Sequence, residues 1–392
     1  MPKILRIINR FNLGGITYNV SYLSRYLPST YQTLLVGGAE EKSEESSLFI
    51  PRTMGLEPLV IEEMRRSLNP FADYLAYRRI KKLIREFGPD IVHTHASKAG
   101  AVGRLAAARC GVPVIVHTFH GHVFKGYFGP FRTAIFKILE RYLAKKSDAI
   151  VAISNRQLEE LIQVHHICET SKVHIIPLGF DLRRFTNGME EKRKIFREKY
   201  GLGGLCVGII GRLAPIKNHY LFIDAVADTL RRCGVKFTAV IIGDGEMKKD
   251  LMKYIESKRL TFSNENGSAD FLFTSWIREV DVALAGLDLI CLTSNNEGTP
   301  VSLIEAQAAS RFIVSTDVGG ISDILHPACG LLSPPADVGA FTDNLLYAVQ
   351  NFATCSKNAG AASHEVLKRF SYERLCNDMD DLYRKLLAAK GI

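Results

Sequence analysis

The sequence, 392 residues long, lacks the features that mark secreted and membrane-spanning proteins. No apolar run reaches the length of a membrane-spanning helix, and the residues after Met1 do not form the apolar segment and cleavage site of a signal peptide. The eight cysteines are scattered singly between Cys110 and Cys376, without the dense spacing of a disulfide framework. These absences predict a cytoplasmic protein whose cysteines stay reduced.

Several ligand-binding motifs are missing as well. No Gly-x-Gly-x-x-Gly follows a predicted strand, which argues against a dinucleotide-dependent oxidoreductase. Acid-rich metal motifs are absent, and no recognised nucleic-acid-binding motif accompanies the isoelectric point of about 9.1. We therefore expect no cofactor, and we do not expect nucleic acid as a partner.

What the sequence has instead is a regular alternation of short β-rich runs with helical patterns, which is typical of parallel sheets covered by helices on both faces. At this length two domains are expected. The stretch from 177 to 188, rich in Pro, Gly and Asn, interrupts the alternation and marks the boundary. The predicted domains are residues 1–186 and 187–371, with a C-terminal helix over 372–390 that packs back onto the first domain. The predicted strands are Ile4–Ile8, Gln32–Val36, Ile91–His95, Val112–His117, Ala149–Ile153, Val173–Ile176, Cys206–Ile210, Phe237–Ile242, Phe271–Phe273, Leu289–Leu292 and Phe312–Ser315.

One strand-turn-helix in the second domain carries two acids, Glu297 and Glu305. Thr299 is expected to cap the helix, and Pro300 to occupy its first position, where a missing N–H costs least. The backbone N–H of Val301 would then present the positive end of the helix dipole to an anion. This pattern predicts a phosphate seat flanked by two carboxylates that suit sugar or ribose hydroxyls. A capped helix with two unrelated acids would show the same pattern.

Three other strands of this domain are also followed by glycine and charge, in loops that begin at Gly211, Gly243 and Asp317. Ligands of open α/β sheets bind at the carboxyl ends of the strands, so the four loops predict one shared site. Arg212 can donate hydrogen bonds to two phosphate oxygens at once, while Lys217 supplies a movable point charge. The pair favours a diphosphate ligand.

Together these motifs resemble the retaining GT-B glycosyltransferases of glycosyltransferase family 4. The resemblance covers nearly the whole chain and includes the early Gly14-Gly15, His93-Thr94-His95, His117–Gly121 and Val151–Ser154. The chain is most similar to bacterial enzymes that build cell-surface polysaccharides. The resemblance implies an α/β fold of two Rossmann-like domains whose parallel sheets face each other across an interdomain cleft.

The resemblance also implies roles for residues of the second domain. Arg212 and Lys217 would hold the donor diphosphate, and Glu305 would accept hydrogen bonds from the ribose hydroxyls. Glu297 would face the transferred sugar. The remaining donor contacts would come from Ile277, near the base, and from Gly298, Thr299, Pro300 and Val301.

Two positions in the first domain complete the implied site. Gly15 would approach the phosphate when the cleft closes, and His120 would lie near the sugar and the reacting centre. His120 stands close to His117 and His122, but no Cys or acid joins these residues at metal-ligand spacing. We therefore predict no metal, and a core or loop role for His117.

At two places the chain departs from the family pattern. Where a glycine usually follows the strand ending near Phe273, this chain has Ser275 and Trp276. Leu178 replaces the usual Asn before Gly179. The first departure bears on the geometry of the base site and on the choice of nucleotide.

The implied reaction transfers a hexose or N-acetylhexosamine from a nucleotide-sugar, by family habit a UDP-sugar, to a glycan or lipid-linked acceptor. It would retain the anomeric configuration, need no metal, and depend on His120, Glu297, Arg212 and Lys217. A front-face route is favoured over double displacement at Glu297. Two alternatives stay open: a nucleotide-sugar-processing GT-B enzyme such as an epimerase, and a non-catalytic protein that binds nucleotide-sugars.

Positive charge is concentrated in the first half of the chain. Residues 1–186 hold 26 Lys and Arg against 16 Asp and Glu, whereas residues 187–392 hold 24 against 25. Two predicted helices there, Phe71–Phe87 and Phe131–Lys145, are amphipathic and basic. Such helices more often cover a sheet, but clustered bases near anionic lipid contribute about 1 kcal/mol each. We predict peripheral contact with the anionic inner face of a membrane.

Overall fold

The computed structural model describes residues 1–11, 15–39, 46–65, 69–121 and 129–392. It divides into two compact units, Met1–Phe180 with Phe370–Ile392, and Asp181–Arg369. The sequence prediction placed the boundaries at 186/187 and 371/372. Gly14 and His122, which the sequence analysis named, lie outside the described residues.

The first unit is built on a parallel sheet. Its strands, in the described part of the chain, are β1 (Lys3–Arg10), β2 (Gln32–Gly38), β3 (Leu59–Val60), β4 (Ile91–His95), β5 (Val114–Phe119), β6 (Ala149–Ala152) and β7 (Val173–Ile175). They are ordered β3-β2-β1-β4-β5-β6-β7. The order reverses between β1 and β4, as in doubly wound folds. The apolar side chains of β1, β4 and β5 are buried on both faces of the sheet, because helices cover both.

Six helices connect or flank these strands in the described residues: α1 (Gly15–Tyr26), α2 (Phe49–Thr53), α3 (Pro70–Phe87), α4 (Ser97–Cys110), α5 (Pro130–Lys146) and α6 (Asn155–Glu159). Asn69 caps α3 by accepting hydrogen bonds from the N–H groups of Phe71 and Ala72, and Pro70 occupies the first helical position. α6 continues into one π turn over Glu160–Val164.

The second unit repeats the architecture. Its strands are β8 (Leu205–Ile210), β9 (Phe237–Ile242), β10 (Phe262–Ser263), β11 (Phe271–Ser275), β12 (Leu289–Leu292), β13 (Phe312–Thr316) and β14 (Gly330–Ser333), ordered β10-β11-β9-β8-β12-β13-β14 and all parallel. Its helices are α7 (Met189–Tyr200), α8 (His219–Cys233), α9 (Lys248–Ser257), α10 (Val280–Gly286), α11 (Val301–Ala308), α12 (Ile321–Ile324), α13 (Val338–Gln350) and α14 (Phe352–Phe370).

The last helix, α15 (Tyr372–Ala389), belongs to the first unit. Its N-cap Ser371 accepts a hydrogen bond from the Arg374 N–H. The buried face of α15 joins the core cluster around Ile4 and Val114, to which it contributes Leu375, Cys376, Met379, Leu382, Tyr383 and Leu387. The end of the chain therefore completes the core formed by its beginning.

The fold class predicted from the sequence is confirmed: both units are α/β with parallel sheets in a Rossmann-like order. All the predicted strands are present, with bounds that differ by a few residues. β3, β10 and β14 were not predicted, and each lies at the edge of its sheet. β3 and β10 are two residues long, too short to show a period.

Candidate functional site

In the second unit, the loops after β8 and β12 meet where the strand order reverses. In open α/β sheets, ligands bind at such a switch point, outside the carboxyl ends of the strands. Here Lys217 Nζ, from the β8 loop, donates to Glu297 Oε1, from the β12 loop, at 2.5 Å. Ser294 Oγ donates to the same oxygen at 2.6 Å. Sequence reasoning named Lys217 and Glu297 but not Ser294.

Backbone hydrogen bonds tie the neighbouring loops together. They run from Leu213 N–H to Asp244 C=O (2.9 Å), from Asn295 N–H to Ile216 C=O (2.8 Å), and from Gly320 N–H to Gly298 C=O (2.9 Å). Gly319 lies in the left-handed region at φ +58°, and a Cβ there would stand 1.7 Å from the Glu297 carbonyl oxygen. Only glycine fits this close approach. The four loops predicted to share a site are therefore brought together.

The start of α11 differs from the prediction. The helix begins at Val301, and its N-cap is Pro300, at φ −70° and ψ 109°. Thr299 was expected to be the cap and Pro300 the first helical residue, but no side chain caps this helix. Proline suits the N-cap position because its fixed φ fits there and no N–H is needed. Leu303 N–H donates to the Pro300 C=O at 3.2 Å, whereas the N–H groups of Val301 and Ser302 precede the intrahelical ladder. Gly298 lies two residues before the N-cap.

Arg212 and Lys217 occupy the same loop in different environments. The Arg212 side chain is 66% exposed, and its nearest acid is Glu246, with 3.9 Å between Nη2 and Oε1. The Lys217 side chain is 25% exposed because Glu297 holds it. Arg212 is therefore available to an anionic ligand, whereas Lys217 is already fixed in place.

Glu305 lies on α11, where its side chain is 15% exposed. Burial raises the pKa of its carboxyl to about 7, the charge of Arg184 lowers it, and the nearby Asp281 raises it. Arg184 Nη2 donates to Glu305 Oε1 at 3.4 Å. Arg184 stands in the short 3-10 turn Arg183–Phe185, just after the unit boundary. Sequence reasoning missed it, since nothing local links it to Glu305.

The end of β11 shows why glycine is usual there. Ser275 has φ +56°, a left-handed conformation that is costly for a residue with a Cβ. Its hydroxyl donates to Asp244 Oδ2 at 3.0 Å and accepts from Lys248 Nζ at 3.0 Å. Burial raises the pKa of Asp244, but hydrogen bonds from Gly245 and Ser275 and the charge of Lys248 outweigh it and lower the pKa. Trp276 follows, exposed, and Ile277 is half-buried.

In the first unit, His120 follows β5 and contacts the end of β4. His95 Nδ1 and His120 Nε2 are 3.0 Å apart. Burial lowers the pKa of His120 to about 4, so the ring is neutral near pH 7. Gly15, the other position predicted in this domain, is the first residue of α1. In the described residues, no three His, Cys, Asp or Glu side chains are grouped as metal ligands.

Comparisons with known proteins match both units. A family model described as Glycosyltransferase Family 4 matches residues 13–184, and one described as Glycosyl transferases group 1 matches residues 204–351. The chain is 27% identical over 332 residues to the Escherichia coli UDP-Gal:alpha-D-GlcNAc-diphosphoundecaprenol alpha-1,3-galactosyltransferase, with 83% of each chain covered.

Two solved structures share the fold of the whole chain. A glycosyltransferase from Rickettsia africae superposes with a TM-score of 0.80 at 19% identity, covering 98% of both chains. Anabaena HepE in complex with UDP superposes with a TM-score of 0.79 at 17% identity, covering 98% of this chain and 100% of HepE. In the parts of the chain that the structure describes, no helix is both long and apolar enough to cross a bilayer.

Proposed function

Because the chain belongs to the family 4 glycosyltransferases, we propose that it transfers a hexose or N-acetylhexosamine from a UDP-sugar to a glycan or lipid-linked acceptor. The name of the E. coli relative supports both substrates, since that enzyme uses UDP-Gal and a diphosphoundecaprenol-linked GlcNAc. The UDP complex of HepE supports the nucleotide. The transfer retains the anomeric configuration and needs no metal.

The observation that carries this proposal is the pair of Lys217 and Glu297 at the switch point of the second sheet. Lys217 is held by Glu297, in the loop that leads into α11, and the N–H groups and dipole at the start of that helix favour an anion. Arg212 lies exposed on the same loop. These groups neutralise the charge that builds on the leaving diphosphate, which is the main catalytic requirement when the leaving group is already good.

The proposed bond changes are those of a front-face route. The acceptor hydroxyl oxygen forms a bond to the anomeric carbon on the face from which the diphosphate leaves. The electron pair of the breaking C–O bond goes to the diphosphate, and the acceptor proton goes to one of its oxygens. Glu297 accepts hydrogen bonds from Lys217 and Ser294, which makes its carboxylate a poorer nucleophile and suits it to binding sugar hydroxyls.

The other predicted residues have binding roles in this proposal. Glu305 accepts hydrogen bonds from the ribose, and Ile277 lies against the base. The backbone of Gly298 to Val301 lines the phosphate and sugar positions, and Gly15 offers its N–H to the donor phosphate. His120 contacts the transferred sugar.

Transfer assays with labelled sugars test the proposal. The protein is incubated with a panel of UDP- and other nucleotide-sugars and with lipid-linked N-acetylhexosamine diphosphate, with and without EDTA. We expect transfer from a UDP-sugar, unchanged by EDTA, with product anomeric couplings in NMR that match those of the donor. An inverted product or a divalent-ion requirement contradicts the mechanism. Release of an epimerised donor without acceptor supports an epimerase, and binding without turnover supports a non-catalytic protein.

We also propose that α5 brings the protein to an anionic membrane. The two basic helices differ in the structure. α3 uses Ile80 and Ile84 to cover the first sheet, as the ordinary interpretation of such a helix expects. α3 also leaves Phe71 72% exposed. α5 packs Phe136 and Ala144 against the sheet, but its Phe131 is 80% and its Ile138 64% exposed. The exposed apolar side chains of α5 also include Ile135 and Tyr142, and its bases are Arg132, Lys137, Arg141, Lys145 and Lys146.

An exposed apolar stripe beside bases fits the interface of a bilayer with anionic headgroups. Flotation with liposomes tests this role at low and high salt. We expect binding to anionic but not neutral vesicles, loss at high salt, and loss in Phe131→Ser/Ile138→Ser. Ile195→Ser, at an exposed isoleucine of the second unit, is the matched control and keeps binding. Equal partition into both vesicle types, or none into either, contradicts the proposal.

A further inference from the structure

Arg6, in the middle of β1, is a fully buried cation without a carboxylate partner among the described residues. Its Nη1 lies 3.0 Å from His93 Nδ1, 3.4 Å from His95 Nε2 and 3.3 Å from the Tyr383 hydroxyl oxygen. Its Nε and Nη2 make no hydrogen bond in the described part of the chain. Burying an unpaired cation costs several kcal/mol, so the position of Arg6 calls for an explanation other than stability.

A guanidinium has only donors, and it stays protonated. Each ring nitrogen that faces Arg6 must therefore be an acceptor. His93 Nδ1 is also 2.5 Å from the Tyr383 hydroxyl, which can donate to it. His93 then carries its proton on Nε2 and donates to Thr118 Oγ1 at 2.7 Å. These contacts are consistent with one tautomer, in which Arg6 and Tyr383 share the single lone pair of His93 Nδ1.

The same rule determines the tautomer of His95 and, through His95, the tautomer of His120. His95 Nε2 accepts from Arg6, so a neutral His95 carries its proton on Nδ1. This Nδ1–H donates to His120 Nε2 at 3.0 Å. His120 is neutral as well, so its own proton lies on Nδ1. That Nδ1 is covered from solvent and has no hydrogen-bond partner among the described residues.

We propose that Arg6 is a positioning residue that acts through His95 to fix His120 in its Nδ1–H tautomer, so that the ring carries a donor and not a lone pair at Nδ1. The inference rests on the proposed contact of His120 with the sugar. Without Arg6, the opposite arrangement becomes possible: His120 Nε2–H donates to His95, and Nδ1 presents a lone pair. The ring would then be an acceptor or base where the substrate needs a donor.

Burial and the positive charge of Arg6 lower the pKa of both His93 and His95 well below the usual value, and burial does the same for His120. The rings of His93, His95 and His120 therefore stay neutral over the working pH range. Burial is the main reason why the rings are neutral, and the charge of Arg6 adds to it for His93 and His95. The N–H groups of Arg6 select the tautomers.

The experiment measures the ring tautomer directly, in the absence of substrate. Protein labelled with 15N in histidine is studied by long-range 1H–15N NMR at pH 7.5, and the His120 signals are assigned by their loss in His120→Ala. We expect Nδ1 protonated and Nε2 unprotonated in the wild type. Arg6→Met and His95→Leu should shift His120 towards the Nε2–H form. Methionine replaces a buried cation by an apolar chain of similar length, which is often neutral for stability.

Two variants serve as controls. Arg6→Lys restores a buried cationic donor and should return the wild-type tautomer. Tyr383→Phe removes a hydroxyl that contacts both His93 and Arg6 but keeps the Arg6–His95 contact, so it should leave the His120 signals unchanged.

Kinetics supply a second readout. We expect turnover to fall at least tenfold in Arg6→Met, while the UDP affinity, measured by calorimetry, stays within twofold of wild type. A wild-type His120 protonated on Nε2, or an Arg6→Met protein with the wild-type tautomer and turnover, overturns the inference. If the NMR pattern holds but wild-type protein neither binds UDP nor transfers sugar, the proposed function fails while Arg6 still fixes the tautomer.

Discussion

Glu305 shows how one buried carboxyl links stability to ligand binding. Its pKa is raised from 4.5 to about 7, so the folded protein holds a proton there that the unfolded chain has lost between these pH values. A raised carboxyl pKa therefore destabilises the fold as the pH rises through this window. Ribose hydroxyls, in contrast, need the ionised carboxylate as their acceptor.

Glu305→Gln should therefore act in opposite directions on stability and on binding. We expect the variant to gain about 1–3 kcal/mol of unfolding free energy over wild type at pH 8 and little at pH 5, while its UDP affinity falls. Urea denaturation and calorimetry at both pH values measure the two effects. Unchanged UDP affinity at pH 8 would refute the ribose role, and an equal stability change at both pH values would refute the raised pKa.

Arg212 and Lys217 allow a matched comparison within one loop. Each should contribute a charge-assisted contact of about 1.5–3 kcal/mol to the leaving diphosphate, so either alanine variant should lose about 10- to 150-fold in turnover. Arg212 is exposed, and its removal should leave the melting temperature unchanged. Lys217→Ala should lower it, because Glu297 loses its cation. Steady-state rates and thermal melts test both, and wild-type turnover in either variant contradicts the phosphate role.

At the scale of single residues, sequence reasoning found groups that local motifs mark and missed groups that only tertiary structure brings in. Lys217 and Glu297 stand in recognisable loops, and the structure joins them. Arg184 is 121 residues from Glu305 in sequence, and no pattern connects the two. Arg6 was one base among many in the sequence, and only its burial between histidines distinguishes it.

Among the elements, the last residue of β11 stores strain that can be measured. Ser275 has a left-handed backbone, and two side-chain hydrogen bonds, to Asp244 and from Lys248, offset its cost. Ser275→Gly relieves the strain and loses the hydrogen bonds, whereas Ser275→Ala keeps the strain and loses them too. We expect the glycine variant to be more stable than the alanine variant by about 1 kcal/mol. Equal urea midpoints for the two variants would show that the turn relaxes.

The central elements could be predicted from the sequence because burial on both faces gives parallel strands continuous apolar runs. β4, β9 and β12 have the predicted bounds. The edge strands β3 and β10 are too short for such a run. The predicted start of α11 was wrong by one residue. Thr299 and Pro300 are both common at helix starts, and the local sequence does not decide between them.

The local sequence also does not decide what the two basic helices contact. α3 and α5 have similar patterns in sequence, and both pack apolar side chains onto the sheet, but α5 also leaves Phe131, Ile135, Ile138 and Tyr142 exposed. Periodicity predicts that a helix is amphipathic, not what its apolar face contacts.

Across the whole molecule, the titratable groups are unevenly divided between the two units. In the first unit, burial lowers the pKa of His93, His95, His117 and His120. These rings are neutral in the fold and take up protons on unfolding below pH 6.5, so the stability they contribute is present above that pH and is lost as the pH falls. For His120, whose pKa is about 4, the loss at pH 5 is about 2 kcal/mol.

In the second unit, His219 and Glu305 have opposing effects on stability in mild acid. Burial lowers the pKa of His219 to about 4, which destabilises this unit in acid as His120 does the first. Glu305, with its pKa raised to about 7, has the opposite sign, because protonation below that value favours the fold. Between pH 6.5 and 5 the two effects largely offset each other.

Mild acid should therefore loosen the first unit before the second. Hydrogen exchange with mass spectrometry at pH 7 and pH 5, corrected for the intrinsic rates, measures protection in each unit. We expect peptides of β1, β4, β5 and α15 to lose protection at pH 5, while those of β8, β12 and α11 keep it. Glu305→Gln removes the effect that opposes His219. In this variant, peptides of the second unit alone should lose more protection between pH 7 and pH 5 than they do in the wild type. Equal loss in both units of the wild type would mean that the buried histidines do not control the acid stability of the first.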